Sequence, residues 1–333
     1  MEDVDLETNM NQEETKKSMW KASIFFFAVL VLEIPLAFLV GFLQGIMPVK
    51  YTTLISILMT QGYLLLSAII YLVVTKTSLT KQLQVRKYKI SSFFLSLVLL
   101  ITAAPMATWL NVLSQLFVKN ETSAAIFEVT EAVAMCLGIL IIGFLPGFVE
   151  ETIYRGIMLT GFRKRSVLTG VVISALSFGL MHMNFNQMLY AIYLGIVFAF
   201  LVEATGSLVS TMVLHMLFNG FNTLYIYILP KVYDFMAQYS DEYANINMEE
   251  IMNAQPQRQQ LLAMLVAVAP FAIGGLVLSW LLLKAIANIN GRTLTWKSLC
   301  DVKEENVQTK PINVFLILGW AFCLVMALGA MQG

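Results

Sequence analysis

Long apolar runs separated by short polar connections make up most of the chain. Runs of about 20 apolar residues can cross a bilayer as helices. The predicted spans lie at residues 22–46, 51–75, 91–118, 131–162, 166–184, 187–205, 208–229, 260–287 and 312–331. The pattern therefore predicts an all-α fold, a polytopic transmembrane helical bundle of about eight to nine spans.

Composition supports a membrane protein. Hydrophobic residues make up 58% of the chain and charged residues only 13%, whereas a soluble domain carries about 25% charged residues. The formal net charge is zero, so nothing indicates a nucleic-acid partner. We expect residues 1–20 to form a polar cytoplasmic tail and residues 21–333 a single transmembrane domain.

Basic residues predict the orientation, because Lys and Arg collect in cytoplasmic loops. If the N terminus is cytoplasmic, most of the 21 Lys and Arg residues fall in the inner segments. The groups Lys16–Lys21, 76–89, 163–165 and 284–310 would all be inside. We therefore expect a multi-pass protein of the cell membrane with its N terminus in the cytoplasm.

The candidate chemistry lies in three short motifs within the apolar part of the chain. Ionisable residues are costly inside a membrane and usually mark functional sites. The chain has only two histidines, and both fall in these motifs. The motifs are Glu150-Glu151 with Arg155, Phe178 with His182, and His215 with Asn219. Each contains an i,i+4 pair, which places two side chains on one helix face.

The hairpin of the fourth and fifth spans predicts that Glu150 lies beside His182. Glu150 is 16 residues before the expected turn at Ser166, and His182 is 16 residues after it. At about 1.5 Å per residue both lie roughly 24 Å from the turn. A carboxylate and an imidazole side by side form the pair that activates water as a general base.

The remaining motif residues suit supporting roles. His215 and Asn219 lie one turn apart and can both donate to an oxyanion. Glu151 precedes Arg155 by four residues, the favourable order for a helical ion pair. Phe178, one turn before His182, can form a wall of the site or stack on a histidine. The pattern predicts a polar cavity within the membrane.

Glu-Glu-xxx-Arg, Phe-xxx-His and His-xxx-Asn, in this order, resemble the CPBP family of intramembrane proteases. The family includes the CAAX prenyl endopeptidases of the Ras-converting type and the bacterial Abi bacteriocin-processing proteins. The resemblance covers a motif core at residues 146–222. It implies an endopeptidase acting on a membrane-associated peptide or lipidated protein, with lipid as its surroundings. It also implies that Glu150 and His182 activate water while His215 and Asn219 hold the oxyanion, supported by Glu151 and Arg155.

Two alternatives stay open at this point. We expect no cofactor, but Glu150, His182 and His215 could instead bind Zn²⁺ with water in the fourth position. The sequence lacks His-Glu-xx-His, and Asn219 suits an oxyanion better than a metal. The second alternative is a non-catalytic membrane scaffold or immunity partner of the same family. Such relatives usually lack the acidic pair or a histidine, and this chain has both.

Overall fold

The computed structural model describes residues 2–78, 80, 83–240, 243, 246–302 and 308–330. Every regular element within those ranges is helical. The helices longer than a single 3-10 turn are α1 (Glu2–Ile46), α2 (Thr52–Thr75), α3 (Ile90–Ser114), α4 (Thr122–Ala132), α5 (Met135–Phe162), α6 (Val167–Met181), α7 (Phe185–Thr205), α8 (Leu208–Ala237), α9 (Met248–Asn253), α10 (Arg258–Ile289), α11 (Trp296–Cys300) and α12 (Val314–Ala330).

Nine apolar helices correspond to the nine predicted spans. Among the described residues, seven helices are long and apolar enough to cross a membrane, and α6 and α12 are shorter apolar helices. At about 1.5 Å per residue, the 15 residues of α6 span roughly 22 Å. The predicted all-α polytopic bundle is confirmed, and the chain is a multi-pass membrane protein.

The polar N-terminal segment is helical and continuous with the first span. α1 runs without interruption from Glu2 to Ile46, through Pro35. Its inward-facing side chains are buried from Thr15 and Met19 onward. The predicted tail at residues 1–20 and the predicted first span are therefore parts of one long helix.

α5 is closely enclosed around its acidic motif. All side chains from Val149 to Leu159 are buried, although three of them carry charge. Two π-helical stretches, Ile139–Phe144 and Thr152–Leu159, flank a short α-helical segment that ends at Glu151. Such π-helical insertions are often found at functional sites. The first stretch ends two residues before Pro146, which lacks a backbone N–H to donate.

Two local features position α5 against its neighbours. Ser166 caps α6, its hydroxyl accepting from the Thr169 N–H at 3.1 Å, so the predicted turn near Ser166 is confirmed. On another face, α5 approaches α8 closely at Gly147. A Cβ at Gly147 would lie 2.8 Å from the backbone nitrogen of Met216. Small residues permit such close helix approach in membranes, and this one brings the acidic pair next to His215.

Candidate active site

A buried charge cluster links α5 to α8. Arg155 Nη1 donates to Glu151 Oε1 at 2.8 Å, with both side chains fully enclosed. The same oxygen lies 2.9 Å from His215 Nδ1. The helical ion pair expected from the i,i+4 spacing is therefore present, and it also holds a histidine that lies 64 residues away in the sequence.

These contacts assign the proton on His215. Glu151 Oε1 already accepts from Arg155 and can only accept, so Nδ1 of His215 must donate to it. In the neutral ring Nε2 is then the acceptor. A carboxylate that orients one imidazole nitrogen leaves the other nitrogen available for chemistry at a defined position.

Glu150 lies on the far side of the His215 ring. His215 Nε2 is 3.9 Å from Glu150 Oε2, beyond hydrogen-bond length. The other carboxylate oxygen, Oε1, accepts from Gln61 Nε2 of α2 at 2.9 Å. Two acceptors, Nε2 and Oε2, thus face each other, an arrangement that a donor contacting both would stabilise.

Aromatic rings enclose the charged groups. The Arg155 guanidinium lies 4.3 Å from the centroid of the Phe178 ring and 5.3 Å from that of Phe198. Phe178 also contacts both histidines edge-on, at ring centroid distances of 5.1 Å to His182 and 5.8 Å to His215. Cation–π contact offsets part of the cost of burying a cation. Phe178 therefore connects the three motifs, as a wall and a stacking partner.

His182 is at the end of α6 rather than within a long span. It follows Met181 as the C-terminal cap and is half-buried. Its Nδ1 lies 2.9 Å from the Phe178 carbonyl oxygen, so Nδ1 carries the proton and Nε2 points elsewhere. No hydrogen bond or ion pair joins His182 to Glu150, both of which are described residues. Direct pairing of the two stays a prediction.

Asn219 lies one turn beyond His215 on α8 and is half-buried. Its backbone carbonyl accepts from the Thr223 hydroxyl at 2.8 Å. Its side-chain amide makes no hydrogen bond to any other residue that the structure describes. The amide is therefore not used to tie helices together.

Gln61 and Phe198 were not among the residues predicted from the sequence. Gln61 is 7% exposed and contacts Glu150 across 89 residues of sequence, and Phe198 lies 5.3 Å from the His215 ring, centroid to centroid. The one signal for Gln61 was an amide within an otherwise apolar run. Phe198, a phenylalanine in an apolar helix, gave no signal.

The zinc alternative, with Glu150, His182 and His215 as ligands, stays a prediction. Within the described ranges, no three His, Cys, Asp or Glu side chains are grouped so that they could hold a metal ion. Both histidines use Nδ1 for a contact within the protein, His215 with Glu151 and His182 with the Phe178 carbonyl.

One sizeable cavity lies elsewhere in the protein. It has a volume of about 700 Å³ and lies between the polar half of α1 and the segment before α12. Its lining includes Lys16, Trp20 and Lys310, and it shares no residue with the buried cluster. The inference of function therefore depends on the contacts of the cluster itself.

Comparison with known families gives a match over the motif core. Residues 132–221 match the family described as type II CAAX prenyl endopeptidase Rce1-like. The matched segment covers about a quarter of the chain and contains every predicted site residue from Glu150 to Asn219. No curated protein and no solved structure matches the chain.

Proposed function

We propose that this chain, whose residues 132–221 form an Rce1-like domain of a membrane protease family, is an intramembrane endopeptidase. The substrate would be a membrane-associated peptide or protein, of the CAAX type or a bacteriocin-like precursor. One observation carries the proposal: Glu150 Oε2 and His215 Nε2 face each other at 3.9 Å inside an apolar bundle. Both are acceptors, and the hydrolytic water is a donor that fits between them.

The attacking water would donate one hydrogen bond to Glu150 and one to His215. Its lone pair is then directed at the carbonyl carbon of the peptide bond. As the C–O bond forms, Glu150 takes the proton, acting as a general base, and later gives it to the leaving amine. Glu151, paired with Arg155, fixes the ring of His215 in the orientation that this step needs.

The oxyanion would be stabilised by the remaining polar groups. The Asn219 amide makes no other hydrogen bond among the described residues, so it is free to donate to the developing negative charge. His182, half-buried at the end of α6 with its Nδ1 on the Phe178 carbonyl, would present Nε2 to the substrate. This assignment moves the water partner from His182 to His215 and retains all four predicted catalytic residues.

The buried charges suit proton transfer. Two acidic side chains, Glu150 and Glu151, lie near one basic side chain, Arg155, and the side chains from Val149 to Leu159 are buried. A proton accepted by Glu150 or His215 neutralises the excess negative charge. Because the dielectric is low inside the bundle, that neutralisation has a strong effect on energy. We propose that the reaction proceeds without a metal.

The alternative is a non-catalytic scaffold or immunity partner. A scaffold has no use for a carboxylate facing an imidazole, so the Glu150–His215 geometry favours the enzyme. A cleavage assay on purified protein separates the two, with an S-farnesylated Cys-a-a-X peptide and an unprenylated precursor peptide as probes. The enzyme predicts cleavage by the wild type and none by Glu150→Ala or His182→Ala. Binding of peptide without cleavage by the wild type supports the scaffold.

A further inference from the structure

We propose that Gln61 is a further active-site residue, one that positions the Glu150 carboxylate and binds a backbone N–H of the peptide substrate. This inference depends on the proposed function. Gln61 lies on α2, outside the segment at residues 132–221 that matches the protease family. The active site would therefore extend to a helix for which the family match gives no information.

The first part of the argument is the contact with Glu150. Gln61 Nε2 donates to Glu150 Oε1 at 2.9 Å. A carboxylate with one oxygen fixed in this way cannot rotate freely, so its other oxygen stays directed at His215. A hydrogen bond from an amide to an ionised carboxylate is charge-assisted and stronger than one between neutral groups, and the ionised carboxylate is the form that accepts the proton from water.

The second part is the unsatisfied oxygen of the same amide. Gln61 Oε1 is buried and has no hydrogen-bond partner. A buried acceptor without a donor is destabilising, and such an exception calls for an explanation. The amide cannot be rotated to remove the problem, because Oε1 would then face the Glu150 carboxylate.

The chemistry of the reaction identifies the missing donor. The water contacts Glu150 and His215, so its two hydrogens are already used. The other donors that arrive with a peptide are its backbone N–H groups, which must be satisfied when an extended peptide enters an apolar bundle. Gln61 Oε1, on the same amide that holds the base, places such an acceptor beside the reacting bond.

The test compares Gln61→Met, close in size, with Gln61→Glu, which keeps an acceptor oxygen but loses the donor. Gln44→Met is the matched control, because Gln44 Nε2 donates between helices to Ser56 Oγ at 2.7 Å without contacting Glu150. Turnover of the farnesylated peptide should fall about 10–100-fold in Gln61→Met and stay near wild type in Gln44→Met. In Gln61→Glu, turnover should recover towards low pH, because one proton shared between the introduced carboxyl group and that of Glu150 then replaces the lost amide donor.

Ester scanning of the peptide tests the N–H contact. Each backbone N–H near the cleaved bond is replaced in turn by an ester oxygen. One replacement should lower kcat/KM in the wild type and have no further effect in Gln61→Met. If kcat/KM falls equally in the wild type and in Gln61→Met at every position, the proposed N–H contact is contradicted.

A measurement that needs no substrate separates the role of Gln61 from the proposed protease activity. A hydrophobic carbodiimide labels protonated carboxyl groups within membranes, and mass spectrometry gives the rate at Glu150. Gln61→Met should be labelled faster than the wild type at the same pH, whether or not any peptide is cleaved. Equal labelling rates with unchanged turnover would overturn the role of Gln61, while a cleaving wild type would leave the protease function intact.

Discussion

At the scale of single residues, the enclosed Arg155–Glu151 pair has a consequence for stability that can be measured. Arg155 and Glu151 are fully enclosed and lie 2.8 Å apart. Removing one partner of a buried pair leaves an unpaired charge, which typically costs about 3–5 kcal/mol. We therefore expect Arg155→Ala to lower the free energy of unfolding by about that amount, measured by denaturant titration in detergent.

An exposed pair gives the control for Arg155. Lys17 and Glu13 also form an i,i+4 pair, at 3.7 Å, and both are largely exposed. Surface ion pairs contribute about 0–1 kcal/mol, so Lys17→Ala should have little effect. A loss for Arg155→Ala no larger than that for Lys17→Ala would contradict the enclosed pair.

Asn219 allows catalysis to be separated from stability. If the Asn219 amide donates to the oxyanion, Asn219→Ala should lower turnover by about 10²–10³-fold with little change in substrate binding. If the amide only links two helices, the substitution should cost about 0.6 kcal/mol of stability and leave turnover per folded molecule intact. Asn222→Ala is the matched control, because Asn222 is exposed and donates only within its own helix, to the Phe218 carbonyl. A destabilised but fully active Asn219→Ala would remove Asn219 from the site.

The sequence predicted contacts within one helix better than contacts between helices. The Glu151–Arg155 pair follows from an i,i+4 spacing, which any helix enforces. The contacts of Glu150 depend on how α2 and α8 are rotated and placed against α5. The spacing of residues along one helix contains no information on how that helix packs against others. Gln61 was therefore missed, and His215 was not recognised as the histidine facing Glu150.

At the scale of elements, the close approach of α5 and α8 determines the site geometry. At Gly147 a Cβ would lie 2.7 Å from the Met216 Cγ and 2.8 Å from its backbone nitrogen. Gly147→Ala must push the two helices apart, next to His215. A displacement of about 1 Å can cost about 10²-fold in rate, so we expect a comparable loss of peptide cleavage.

The control for Gly147 lies on the same pair of helices. A Cβ at Gly220 of α8 would meet only Ile139 of α5, at 3.7 Å, which is ordinary contact. Gly220→Ala should therefore retain activity and the wild-type melting midpoint. Equal activity of Gly147→Ala and Gly220→Ala would show that the helix spacing does not set the catalytic geometry.

The hairpin of α5 and α6 shows what a rise count can and cannot predict. The turn lies at Ser166 as expected, directly after the basic residues 163–165. The equal-height argument assumed α-helical rise on both sides, but α5 is π-helical over Thr152–Leu159, between Glu150 and the turn. That stretch changes both the rise and the rotation per residue, so the position of Glu150 relative to His182 does not follow from counting residues.

At the scale of the whole molecule, the apolar pattern predicted the bundle well because each span must satisfy its own backbone hydrogen bonds. That requirement is local, so composition and length suffice to find the helices. We propose that the N terminus is cytoplasmic, from the distribution of basic residues. Nine spans then place the C terminus outside, although α12 has only 17 residues.

The span number can be tested with terminal tags. An epitope at the N terminus should be protected from protease added to intact cells, and one at the C terminus should be digested. Protection of both termini would mean an even number of spans, with α12 lying at the membrane surface. Digestion of the N-terminal tag would contradict the proposed orientation.

Metal dependence is a property of the whole enzyme in its membrane. The described part of the chain has no suitable group of three ligands, so we expect cleavage to survive exhaustive chelation. Elemental analysis of the active, chelated enzyme should find no stoichiometric zinc. Loss of activity on chelation with recovery on adding Zn²⁺ alone would contradict the metal-free proposal.

The most direct test of the account is the turnover of Glu150→Gln. Glutamine retains the shape of the side chain but cannot accept a proton from water, a step typically worth about 10²–10⁴-fold. Peptide cleavage by the purified, folded variant should fall by at least that range, with helical content and melting midpoint unchanged. Turnover equal to the wild type would contradict the assignment of Glu150 as the base that activates water.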